Sequence, residues 1–70
     1  MKPIDIADDL RPLIDHINRV NGSNLVLTVA DNEVLVEEHD VPLVIIENVH
    51  DSIEAHTAVY KSLHLWGLTV

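Results

Sequence analysis

The sequence predicts a small α+β domain: a helix, a three-stranded antiparallel sheet and a second helix, with both helices on one face of the sheet. Three observations predict it. Apolar residues recur at spacings of three and four towards each end of the chain, short β-branched runs lie between them, and Asp31 and Asn32 join the first two runs as a tight turn. Residues 1–70 contain no internal repeat, low-complexity tract or linker, so one domain is expected.

In the first helix Ile6, Leu10, Leu13, Ile14 and Ile17 form the apolar stripe, with Asp9, Asp15, His16 and Arg19 on the wet side. A proline inside a helix clashes with the carbonyl four residues before it. Pro12 is therefore expected in the first turn, behind a cap at Asp8 or Asp9, with residues 3–6 as an extended or loosely helical lead-in. The alternative is a longer helix that kinks at Pro12. Gly22, within NGSN, stops the helix soon after Val20.

The run NLVLTVADNEVLVEE reads as two strands around a two-residue turn, because Asp and Asn tolerate the positive φ that such a turn needs. That turn sets Val29 opposite Val34, Leu27 opposite Val36 and Leu25 opposite Glu38. One face is then almost wholly aliphatic, while Val26, Thr28, Ala30, Glu33, Leu35 and Glu37 make a mixed outer face. After the loop HDVP, residues 43–47 (LVIIE) give a third strand with Pro42 at its entrance. Leu43 and Ile45 fall on one side of it, Val44 and Ile46 on the other. Whichever pair faces the helices, the other joins Val26 and Leu35 outside, and a half-apolar outer face calls for a cover such as a second copy.

The last element starts near Asn48 or Asp51, where Asp51 and Glu54 resemble a capping box. Val49, Ile53, Tyr60 and Leu63 form its expected stripe, flanked by Val59 and Trp66. Gly67 ends it, with Leu68 folding back on Leu63 in a Schellman turn, or with residues 68–70 (LTV) adding a short edge strand.

A core in a chain of 70 residues supplies only a few kcal/mol, roughly 3 to 5. Cysteine is absent, which removes disulfides and thiolate zinc sites, so oligomerisation is the expected supplement. No apolar run approaches the roughly 20 residues that cross a bilayer, and MKPIDIADD turns acidic where a signal peptide would be apolar. A soluble, cytoplasmic protein is expected.

The net charge is −8, unevenly spread. Lys2, Arg11, Arg19 and Lys61 lie in the end segments, balanced by Asp5, Asp8, Asp9 and Asp15. Between Val20 and Tyr60 there is no Lys or Arg, while Asp31, Glu33, Glu37, Glu38, Asp40, Glu47, Asp51 and Glu54 accumulate. Binding to phosphate relies on cations, which argues against direct nucleic-acid recognition through this region and against an anionic membrane surface.

The segment HDSIEAHTAVYKSLH carries three histidines among other reactive side chains. On a helix His50 and His64 lie roughly 21 Å apart along the axis, and His56 and His64 about 12 Å, too far to share an ion. Glu47, His50 and Glu54 have a spacing found in di-iron bundles, but those need two Glu-x-x-His motifs and this chain has one. No nucleophile motif or glycine-rich phosphate loop is present, so neither an enzyme nor a bound cofactor is expected. His56, within the apolar stripe, is the candidate interface or pH-sensing residue, since a buried imidazole at a dimer seam would loosen it on protonation. Glu33, Glu37, Glu38 and Asp40 are the candidate partner-binding residues, an acidic surface for a basic protein whose plainer explanation is solubility or a salty cytoplasm.

The expected function is a non-enzymatic protein-interaction or regulatory module acting as a homodimer through the sheet's outer face or its edge. The alternatives are an acidic, nucleic-acid-mimicking inhibitor of a nucleic-acid-processing enzyme, of the sort phages and mobile elements carry, and a metal-binding protein using the helix histidines and carboxylates.

Overall fold

The computed structural model describes residues 2–47 and 51–70. Helix α1 (Pro3–Asn21), strands β1 (Leu25–Ala30), β2 (Glu33–Glu38) and β3 (Val41–Glu47), and helix α2 (Ser52–Leu65) follow in the expected order. The sheet is antiparallel in the order β1-β2-β3. One core joins five residues of α1 (Ile6, Ala7, Leu10, Ile14, Ile17), five of the sheet (Leu25, Val34, Val36, Val44, Ile46) and three of α2 (Ala55, Val59, Leu63). Both helices therefore cover the same sheet face.

Helix α1 begins nine residues before Pro12, and the expected cap at Asp8 or Asp9 is not its start. Pro3 takes the first helical position, where a missing N–H costs nothing, and Lys2 precedes it in extended conformation. Pro12 lies inside the helix on its exposed side, so the Asp8 carbonyl that it leaves without a partner is at the wet face. An interior proline costs about 3 kcal/mol. Helix upstream of it buries Ile6, Ala7 and Leu10, and full burial of one large aliphatic side chain is worth about 1.5 to 3 kcal/mol. Burial wins. At the other end Gly22 takes φ 64° and, with Ser23, donates to the Asn18 carbonyl.

The β1–β2 pairing has the expected register throughout, Val29 opposite Val34 and Leu25 opposite Glu38. The next connection is tighter than the sequence suggested. Only His39 and Asp40 separate β2 from β3, both at positive φ (52° and 64°), as a type I′ hairpin turn requires. Strand β3 consequently starts at Val41, and Pro42 lies within it, on an edge strand next to a bulge.

The bulge corrects the expected faces of β3. Val36 pairs with Val44 but Glu37 pairs with Pro42, so Leu43 is the extra residue. The break in alternation brings Leu43 to the core side with Val44, and it packs there, half-buried. Ile45 alone, 55% exposed, joins Val26 and Leu35 outside.

Asp51 caps α2, its carboxylate accepting from the Glu54 N–H at 2.8 Å. The expected stripe is displaced. Leu63 and Val59 are buried with Ala55, and Ser52, Ala58 and Ser62 are half-buried beside them, whereas Ile53 (77%), Tyr60 (42%) and Trp66 (58%) are exposed. Val49 lies outside the described residues, as do Asn48 and His50. Gly67, at φ 83°, closes a Schellman turn: its N–H donates to His64 and that of Leu68 to Leu63, and Leu68 packs on the core. Residues 68–70 add no strand. Instead both main-chain polar groups of Thr69 bond the Asn21 carboxamide, at 2.8 and 2.9 Å.

Candidate functional site

Strand edges are the first place a sheet meets another chain, and here side chains from α1 and from the end of α2 occupy part of both. The Asn18 carboxamide takes both main-chain polar groups of Leu25, accepting its N–H at 2.8 Å and donating to its carbonyl at 3.0 Å. Asn18 thus stands in for one rung of a neighbouring strand. A residue's N–H and C=O point to the same side in an antiparallel ladder and alternate along it, so Leu27 and Val29 carry the rungs left open on β1. On β3 the carbonyl of the bulge residue Leu43 accepts from Trp66 Nε1–H at 3.2 Å. Such devices restrain edge-to-edge pairing.

Residues paired across the strands build the outer face as three rows. Thr28, Leu35 and Ile45 make the middle row, Val26, Glu37 and Pro42 one end, and Ala30, Glu33 and Glu47 the other. An apolar strip therefore runs between carboxylates, with no cation in any row. Glu33 and Glu47 are directly opposite, an arrangement that destabilises a sheet.

Of the four candidate partner-binding acids, Glu33 and Glu37 share this face, about 13 Å apart along β2. Glu37 is held by Thr28 Oγ1–H at 2.6 Å. Glu38 follows it in the strand and so points to the opposite side, where it accepts the Asn24 N–H at 3.0 Å. Asp40 is exposed in the turn. Strand alternation divides the run that looked continuous in sequence.

His56 is half-buried beside the core face of α2, and its Nδ1–H donates to the Ser52 carbonyl at 2.7 Å. A carbonyl only accepts, so Nδ1 carries the hydrogen of that bond. His64 is exposed eight residues on. Among the described residues no three His, Asp or Glu side chains come together as metal ligands, and His50 of the Glu47, His50 and Glu54 set lies outside them.

Among the described residues no charged or polar side chain is buried. A shallow depression between α1 and β1, lined by Arg11, Ile14, Asp15, Leu25, Val26 and Leu27, offers one guanidinium and one carboxylate without a nucleophile. Compared with known proteins, the chain matches no family model, and no curated protein or solved structure matches it.

Sequence reasoning missed two features. The Asn18 and Trp66 edge clamps depend on the bulge and on where α1 ends, and neither has a local signal. The exposed side of α2 did have one, because Leu65 falls roughly 160° around the helix from Leu63 and cannot share its face.

Proposed function

We propose that this chain is a non-enzymatic interaction module that works as a homodimer. The observation that carries the reading is α2, which turns Ile53 and Tyr60 to solvent at 77% and 42% exposure on one side while contributing only three residues to the core. A small domain with a thin core and an uncovered apolar helix face gains stability when a second copy covers that face. Sedimentation equilibrium across the micromolar range tests it. A reversible dimer is the expected result, and a monomer throughout would refute it.

A second reading is favoured by the outer sheet face: an acidic surface that attracts a basic protein, as an inhibitor mimicking nucleic acid would. Glu33 and Glu47 oppose each other there at a cost to the sheet, which is understandable if a cationic partner relieves it. A lysine- and arginine-rich peptide should bind with an affinity that falls steeply with salt, and a salt-independent affinity would count against this role.

A further inference from the structure

The outer side of α2 has a periodicity of its own. At about 100° per residue, Ile53, Thr57, Tyr60 and His64 fall within a sector of roughly 60°, turned roughly 130° from the core-facing Ala55, Val59 and Leu63. All four are exposed. Their spacing of four, three and four is that of a coiled-coil seam, carried over about 17 Å of helix.

The seam is symmetric about its own midpoint. With a second α2 laid antiparallel, Thr57 meets the partner's Tyr60 and Ile53 meets the partner's His64, and each contact recurs with the roles exchanged, as a two-fold axis demands. Glu54 and Lys61 each follow a seam residue by one position and so share a flank. Like flanks face each other in an antiparallel pair, which sets Glu54 against the partner's Lys61 on both sides of the axis. A parallel pair would instead turn that flank towards the side carrying His56. Pairing through the outer sheet face would set Glu33, Glu37 and Glu47 against their own copies with no cation in any of its rows.

We propose that α2 pairs antiparallel with α2 of a second copy through Ile53, Thr57, Tyr60 and His64, with Glu54 and the partner's Lys61 setting the direction. This assignment rests on the homodimer reading, and the test separates the two. Glu54→Lys and Lys61→Glu should each weaken dimerisation roughly tenfold at low ionic strength, whereas the double variant, with the wild-type net charge, should return to within about threefold of wild type. Glu54 lies in the first turn of α2, so a second measurement avoids it. The chain has no cysteine, and Thr57→Cys mixed with Tyr60→Cys should form a disulfide dimer faster than either variant alone. If wild type dimerises but the double variant stays as weak as the singles, or the mixture cross-links no faster, this interface is wrong and the homodimer reading stands. A wild-type monomer overturns both.

Discussion

The two helices differ in how they use apolar residues. Helix α1 places Ile6, Leu10, Ile14 and Ile17 in the core and leaves only Ile4 and Val20 exposed near its ends. Helix α2 places Ala55, Val59 and Leu63 there, and its larger side chains Ile53, Tyr60 and Leu65 are in solvent. One helix is amphipathic towards its own domain. The other carries apolar side chains on a second side as well, and its own domain leaves that side uncovered. The difference teaches that apolar spacing on a helix of a small domain does not by itself mark the core face: under the proposed dimer, the second set on α2 serves association.

The largest expected effect breaks the comparison at its core. Leu10→Ala should lower monomer stability by about 2 to 5 kcal/mol in urea denaturation, while Ile53→Ser should leave it within about 0.5 kcal/mol at concentrations where the protein is monomeric. Asn18→Ala leaves both main-chain polar groups of Leu25 without the partner that α1 supplies; a loss of about 1 to 3 kcal/mol is expected, with faster hydrogen exchange at Leu25. Asp51→Ala removes the cap of α2 and should cost about 1 kcal/mol, read as reduced helical circular dichroism. Smallest is Glu47→Lys, which replaces the facing pair of carboxylates with Glu33 by an attractive one. It should raise stability by about 0.2 to 1 kcal/mol and weaken binding of a basic peptide, whereas unchanged peptide affinity would remove the outer face from the account.

Much of the fold was legible in the sequence because it follows from local chemistry. The Asp31–Asn32 turn fixes a register, and the register fixes which aliphatic residues share a face; Gly22 and Gly67 mark helix ends because both sit in the left-handed region. What was not legible depended on competition between terms. Pro12 marks a helix start only if nothing upstream is worth burying, and Ile6 and Ala7 are. The faces of β3 depended on a bulge, and the α2 stripe was assigned to its bulkiest residues although Ala55 and Val59 are the ones buried with Leu63. Of the candidate site, Glu33 and Glu37 share a surface while Glu38 and Asp40 do not belong to it. His56, expected inside the stripe, is a half-buried residue bonded to its own helix backbone.

The central claim is that the outer side of α2 is an interface, and sedimentation equilibrium of wild type beside the Ile53→Ser/Tyr60→Ser double variant tests it most directly. The account predicts a reversible wild-type dimer and a variant that stays monomeric across the same concentrations with unaltered monomer stability. A monomeric wild type, or a variant that dimerises as strongly as wild type, would contradict it.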